Sequence, residues 1–534
     1  MSDALLCQLD HLVASPDALF GFGWAVPRAA RIESARLRLE FSDGADTLVA
    51  LSLDRPREDV AAAFPDNPHA ANAGFMLLAG WPDGPPQAAA LEFRLADGHH
   101  ERVSLVLPAI DAPRRPAGVG WRYLARRGWA HLRLGRLRAA LSRFRELRRR
   151  SRAEARTIRD SEFAAAVAGQ RLAVIADHCM GGGANASRDR RIAELTGQGL
   201  TVVLLTFIVS SLSLQAEVHQ AGRKAVGLKL DHVGQLTAAL DGGRLERVIY
   251  NCGVSFPRPL ELCGFLLGLA EGRRLEVVIH DYFTVCPSAF LLDDAGRFCG
   301  VPEVDRCRTC LPAHEDGFVS LAGCRSIDHW RSAWGRLLAR ADEICCFSES
   351  SRQLLARAYP KIADRVCVRP HQVAPLRRVQ RASPAPGGPV VIGVIGVISH
   401  HKGADVVAAL ALAIAETKAP ARLVVIGQVE AACPPEVVHE TGPYEPGSLP
   451  DLVEQHGVQV ALLPSICPET FSFVAHEIIS MGLPLVTLDV GAPADLARSY
   501  PLGRVASRAD GPGLLAEIAG FAAELSSPPA EPCG

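Results

Sequence analysis

Two carboxylates frame the segment Leu463-Pro464-Ser465-Ile466-Cys467-Pro468-Glu469-Thr470-Phe471-Ser472-Phe473-Val474-Ala475-His476-Glu477-Ile478-Ile479-Ser480-Met481-Gly482-Leu483-Pro484-Leu485-Val486. The apolar run from Val458 to Leu463 reads as a strand, the polar stretch after it as a loop, and the remainder as a helix. The amides of Thr470, Phe471, Ser472 and Phe473 then lie at a helix N-terminus, where unpaired N–H groups and the helix dipole together favour an anion. Glu469 precedes the helix, and Glu477 follows eight residues later, about two turns inside at ~3.6 residues per turn. Two acceptors at different depths can grip a sugar and a ribose while the amides hold phosphates between them.

A second block, Val391-Ile392-Gly393-Val394-Ile395-Gly396-Val397-Ile398-Ser399-His400-His401-Lys402-Gly403-Ala404-Asp405, is a strand followed by a helix start. Gly396 near the strand end lets backbone approach a ligand closely, and Lys402 can neutralise a diphosphate leaving group. A third strand, Ala173 to Asp177, leads into His178-Cys179-Met180-Gly181-Gly182-Gly183, where Gly182 and Gly183 permit similarly close approach or simply make a tight turn. His280 stands at the carboxyl end of the apolar run Leu275 to Ile279. Cys286, Cys299, Cys307 and Cys310 fall within one short loop. Four thiolates so close suit tetrahedral zinc, although a standard ribbon would show two C-x2-C pairs, so a structural zinc and ordinary reduced thiols are both open readings.

These residues need rigid elements to hold them. From Arg171 onward, buried apolar strands (Arg171 to Asp177, Thr201 to Phe207, Arg247 to Tyr250, Leu275 to Ile279, Glu343 to Phe347) alternate with helical stretches, and a second series begins at Val390. That alternation predicts parallel βαβ units. The fold class expected is α/β with two Rossmann-like domains, over 166–375 (with a Cys-rich insert at 286–312) and 389–528, facing a cleft in which ligands meet the carboxyl ends of strands. The Pro- and Ala-rich break at 374–389 is the linker between them. Residues 1–112 alternate apolar and polar in short runs, as in Ala35 to Phe41 and Ala90 to Leu95, separated by Asp-Gly turns; this predicts a small β-sandwich accessory domain. Residues 113–165 read as a basic helical linker, a plain connector or a peripheral contact for anionic lipid head groups.

Length and composition bound the rest. With 534 residues, 48% apolar and 22% charged residues and a formal net charge of -1, the chain is globular and too long for one core, and its charge suggests no nucleic-acid partner. The N-terminus shows neither a basic leader nor a continuous apolar segment, and the longest apolar stretch, Leu200 to Leu214, is short of the roughly 20 residues that cross a bilayer, so a cytoplasmic protein with reduced thiols is expected.

The segment from Glu469 to Glu477, followed by Met481-Gly482-Leu483-Pro484-Leu485-Val486, resembles the E-x7-E signature of retaining family 4 glycosyltransferases. The resemblance covers about residues 170 to 525. It implies the GT-B fold and a nucleotide-diphosphate sugar as donor, with Glu469 on the donor-sugar hydroxyls, Glu477 on the ribose, Thr470, Phe471 and Ser472 at the phosphates and no catalytic metal. Lys402 and Gly403 match the family's lysine-glycine pair, Gly182 and Gly183 its first-strand loop, and His280 its active-site histidine. Val397 departs from the pattern, standing where the family usually carries a phosphate-binding arginine, so either His400 or His401 takes over that charge or the diphosphate contact changes. The activity implied is transfer of a hexose or deoxyhexose to a glycan or lipid-linked acceptor in bacterial surface-polysaccharide or O-antigen assembly. A nucleotide-sugar epimerase or phosphorylase, and a non-catalytic glycan-binding scaffold, remain as alternatives.

Overall fold

The structure, a computed structural model, describes residues 4–81, 84–108, 160–223, 225–380 and 388–526. Most of the basic helical linker, and the middle of the Pro-rich break, lie outside the described residues; at the linker's end a helix spans Asp160–Val167. No helix among the described residues is long and apolar enough to cross a membrane. Two compact units emerge: Met1–Ala289 with Pro302–Cys345 and Ala358–Cys367, and Phe290–Val301 with Cys346–Arg357 and Val368–Gly534. These units differ from the linear boundaries read from the sequence, because two short stretches from the middle of the chain join the second unit.

The N-terminal residues form two four-stranded sheets, in spatial order Leu5–Ala14, Ala18–Pro27, Gly74–Gly80, Ser52–Arg55 and Asp46–Ala50, Ile32–Glu40, Ala88–Leu95, His100–Leu105. Alternation places Ala35, Leu37 and Leu39 inward while Arg36 and Arg38 face out. Leu37, Leu39, Leu91 and Phe93 of one sheet share a core with Leu19, Phe75 and Leu77 of the other, which makes the pair a sandwich. The sandwich is fastened to the α/β part of its own unit. Ala50 donates its amide to the carbonyl of Glu315 at 2.8 Å, Arg36 pairs with the Glu315 carboxylate at 2.7 Å, and the Gly80 amide donates to Ser320 Oγ at 3.2 Å.

The first unit's main sheet has the order Val226–Leu230, Ser213–His219, Thr201–Ile208, Arg171–His178, Arg244–Tyr250, Arg274–Val278, Glu343–Cys346, Val366–Val368. The strands from Thr201–Ile208 through Glu343–Cys346 pair in parallel, and an antiparallel hairpin extends the sheet beyond Thr201–Ile208. The apolar stretch Leu200 to Leu214 is therefore a buried strand, a short turn and the start of the hairpin's return strand. The second unit's sheet is wholly parallel, in the order Val438–Glu440, Ala421–Val429, Val390–Ile398, Val460–Leu463, Leu485–Leu488, Gly503–Ala506. Numbered along the chain this is 3-2-1-4-5-6, the Rossmann order, with the crossover direction reversing between Val390–Ile398 and Val460–Leu463. On either side of that reversal Val391 to Ile395 and the whole of Val460–Leu463 are buried, as a sheet covered by helices requires.

Candidate functional site

In the second unit the two strands flanking the reversal end in the two blocks singled out above. After Val390–Ile398 the chain makes a short 3-10 turn, His400–Lys402, before the helix Ala404–Thr417. After Val460–Leu463 it runs through Ser465, Cys467 and Glu469 to the helix Phe473–Met481. The loops touch: the Ile466 amide donates to the carbonyl of His401 at 3.2 Å. A Cβ on Gly403, whose φ is +87°, would lie 2.0 Å from the carbonyl oxygen of Pro464, so only glycine fits there. Lys402 and Glu469 both act electrically on the buried thiol of Cys467; burial pushes that thiol up, Glu469 adds to the rise and Lys402 opposes it. The cation and the carboxylate therefore share one neighbourhood at the carboxyl edge of the sheet.

Ser472 caps the helix, its Oγ accepting from the Ala475 amide at 3.3 Å. The helix proper thus begins at Phe473, placing Thr470, Phe471 and Ser472 in the approach to its positive end. The Glu469 side chain accepts from Ser465 Oγ, and its own carbonyl accepts from the Ala492 amide at 3.0 Å. Glu477 lies half-buried on the helix, its carboxyl pushed up by burial. Tyr444 stands close enough that, after burial, the Glu477 charge helps push its hydroxyl up to about 12. Gly396, with φ +116°, pairs with Gly427 two residues before the strand ends at Ile398.

The charge expected from a histidine in place of the arginine is differently distributed. His401 stacks on Phe290, ring centroids 4.0 Å apart and planes at 8°, and burial together with the charges of Lys402 and His400 pushes it down to about 3. It is neutral near pH 7 and brings no positive charge to a phosphate. His400 is exposed and hydrogen-bonds Asp405 at 2.6 Å, which holds the Asp405 carboxyl down. Val397 is 57% exposed, so the position that carries arginine in the family presents an apolar side chain to solvent.

In the first unit, Gly181 caps the helix Gly182–Gly197, which includes Gly183. Asn185 braces the loop, accepting from the Gly181 amide at 2.7 Å and donating to the His178 carbonyl at 2.8 Å. His280 follows Arg274–Val278 by one residue beyond Ile279, whose amide donates to the Cys345 carbonyl at 2.8 Å. At the neighbouring strand ends the structure adds a group that the motif reading passed over: Asp177, His178, Cys252 and Asp281. Burial pushes Asp177 up to about 6 against the pull of Arg188, and burial with the Arg188 charge pushes His178 down to about 4. Polar residues directly after buried strands were the available sequence signal, but the members stand far apart in the chain and no local spacing links them.

The thiols of the insert behave otherwise than a closed zinc site demands. Among the described residues, the group of His, Cys, Asp or Glu ligand atoms that lie mutually within 4.8 Å is Asp177, His178 and Cys252; Cys286, Cys307 and Cys310 do not form one. Cys307 and Cys310 sit on the helix Val304–Ala313, and Cys286 and Cys307 pack against Leu311, Val319 and Ile327 in an apolar cluster. Cys299 belongs to the second unit. The helix takes up the end of the insert, while the stretch from Cys286 to Glu303 stays irregular apart from the bridge between Leu292 and Phe298.

Residues 377–515 match the family model described as Glycosyl transferases group 1. A GDP-mannose-dependent alpha-mannosyltransferase of Mycobacterium tuberculosis (strain CDC 1551 / Oshkosh) is 29% identical over 220 residues, 39% of this chain and 54% of that protein, so the match spans about half the length of the curated relative. Among solved structures, Anabaena Alr3699/HepE in complex with UDP aligns over 67% of this chain and 90% of its own at 12% identity and a TM-score of 0.38. A glycosyltransferase from Rickettsia africae ESF-5 aligns over the same shares at 12% identity and a TM-score of 0.41. The stretch that holds Lys402, Glu469 and Glu477 is thus the stretch similar to the group 1 glycosyl transferases.

Proposed function

We propose that the chain is a glycosyltransferase of GT-B type that transfers a sugar, with retention, from a nucleotide-diphosphate sugar to a glycan or lipid-linked acceptor in surface-polysaccharide assembly. The observation that carries the reading is the meeting of the Lys402 turn with the Glu469 loop at the strand reversal of a 3-2-1-4-5-6 sheet, directly before a capped helix. The match of residues 377–515 to the group 1 family, and a relative named for a GDP-mannose donor, support it. In this reading Lys402 and the amides from Thr470 to Phe473 stabilise the departing nucleoside diphosphate, and Glu477 holds the ribose. Glu469 orients the donor sugar, and His280 keeps the sugar or acceptor role that the family resemblance gives it. A non-catalytic glycan-binding role is the second reading, favoured by the apolar Val397 at the arginine position.

Thermal unfolding of the full chain against a panel of nucleotide sugars, including GDP-mannose and UDP-glucose, tests the donor assignment. A ligand at 100 times its Kd stabilises the folded state by about 2.7 kcal/mol. One donor class should raise Tm in the wild type and not in Glu477→Ala. A flat response across the panel contradicts the assignment.

A further inference from the structure

We propose that Asp177, His178 and Cys252 form a site for one divalent cation, zinc by its donor set, at the carboxyl edge of the first unit's sheet. Their ligand atoms lie within 4.8 Å of one another, and all three residues are buried, with exposures of 0%, 8% and 0%. The backbone brings them level. Arg171–His178 and Arg244–Tyr250 are parallel neighbours, and the amides of Asn251 and Cys252 both donate to the Ala176 carbonyl, at 2.9 and 3.3 Å. The sulfur is thereby fixed beside the two residues that follow Ala176.

Hydrogen bonds orient each donor, and a metal would exchange with some of them. His178 Nδ1 accepts from the Met180 amide at 3.1 Å, so the unprotonated nitrogen of a neutral ring is Nδ1, and a metal bond there replaces that hydrogen bond. Asn185 Nδ2 donates to Asp177 Oδ2 at 3.2 Å and to the His178 carbonyl, orienting both residues. The Cys252 thiol donates to Asp281 Oδ2 at 2.7 Å, which orients the sulfur and gives its proton an acceptor. Three protein ligands leave the fourth tetrahedral position to a water or another oxygen ligand, the arrangement of an open zinc site.

Charge points the same way. Carboxylates buried in a protein are paired or hold metals. Arg188, 3.4 Å from Asp177, supplies one positive charge to this group. With Asp177 and Asp281 ionised and Cys252 as thiolate, the three negative charges are balanced by Arg188 and one divalent cation. On binding, the S–H bond breaks, a sulfur lone pair forms the metal bond, and the proton leaves through Asp281 to the buffer. A set of one sulfur, one nitrogen and carboxylate oxygen suits zinc over magnesium or calcium, which take oxygen.

The test is metal analysis of the full chain, purified without chelating resin and dialysed against zinc, with a parallel cobalt(II) titration followed by absorption. The wild type and a Cys307→Ser/Cys310→Ser double variant should each retain about one equivalent of zinc, and cobalt should give a thiolate charge-transfer band. Cys252→Ser and Asp177→Asn should bind less than about a tenth as much. Absence of zinc and of the cobalt band in the wild type overturns the proposal, as does zinc that survives Cys252→Ser or vanishes only in the Cys307/Cys310 variant. If Cys252→Ser does not fold, the cobalt band in the wild type and its loss in Asp177→Asn decide the matter.

Discussion

Ile466 donates its backbone N–H to the carbonyl of His401 across 3.2 Å, tying together two loops that lie more than sixty residues apart in the chain. One loop carries Lys402, the other Glu469. The contact can form because Gly403 reverses the chain at φ +87° against Pro464, leaving no room for a side chain.

Gly403→Ala should therefore be costly. It places a Cβ 2.0 Å from the Pro464 carbonyl oxygen in a backbone region that favours glycine. A loss of about 2 kcal/mol or more is expected in urea unfolding, together with weaker binding of nucleoside diphosphate. Unchanged stability would show that the two loops separate freely.

Lys402→Ala and Glu477→Ala should fail at different steps. A cation that meets charge developing on the leaving group acts in the transition state, whereas a carboxylate on an unreacting ribose acts in ground and transition states alike. Loss of the lysine should lower kcat by roughly thirty- to a thousand-fold, the equivalent of about 2 to 4 kcal/mol. Loss of Glu477 should mainly raise the donor KM. The contrast is sharpened by Val397 and by the neutrality of His401, which leave Lys402 to carry more of the phosphate load. Wild-type kcat in Lys402→Ala would move the leaving-group role to the helix amides.

His401 should make the protein acid-sensitive. Its ordinary value is near 6.5 and the folded environment pushes it to about 3. Between these limits the unfolded chain holds a proton that the folded chain lacks, so stability is full above about pH 6.5 and falls as pH drops toward 3, by at most about 1.4 kcal/mol per pH unit. Denaturation of wild type and His401→Gln at about pH 7.5 and 4.5 should show the wild type losing about 1 to 2 kcal/mol more than the variant. An equal loss in both would mean that His401 titrates normally in the folded state.

Much of this was legible in the sequence where the signal is local. The alternation at Ala35 to Leu39 and the apolar runs at Ala173 and Val391 announce their strands, because period and burial are properties of consecutive residues. The strand-loop-helix order around Glu469 was equally readable. What escaped depends on partners distant in the chain. His401 looks like a cation until Phe290 is seen stacked on it, and Asp177 and Cys252 acquire meaning only when parallel pairing sets them side by side. In the cysteine insert close spacing left both zinc and ordinary thiols open, and spacing alone could not show that Cys307 lies on the helix Val304–Ala313 and packs in an apolar cluster.

The most direct test of the central claim is proton NMR of the full chain incubated with each nucleotide sugar and a panel of glycan and lipid-linked acceptors, following the anomeric signal and the released diphosphate. The account predicts a new glycosidic product whose anomeric configuration matches that of the donor, formed with stoichiometric release of nucleoside diphosphate and abolished in Glu469→Gln. A product of inverted configuration contradicts the retaining mechanism. Conversion of the donor without any acceptor, or binding without any turnover, contradicts glycosyl transfer itself.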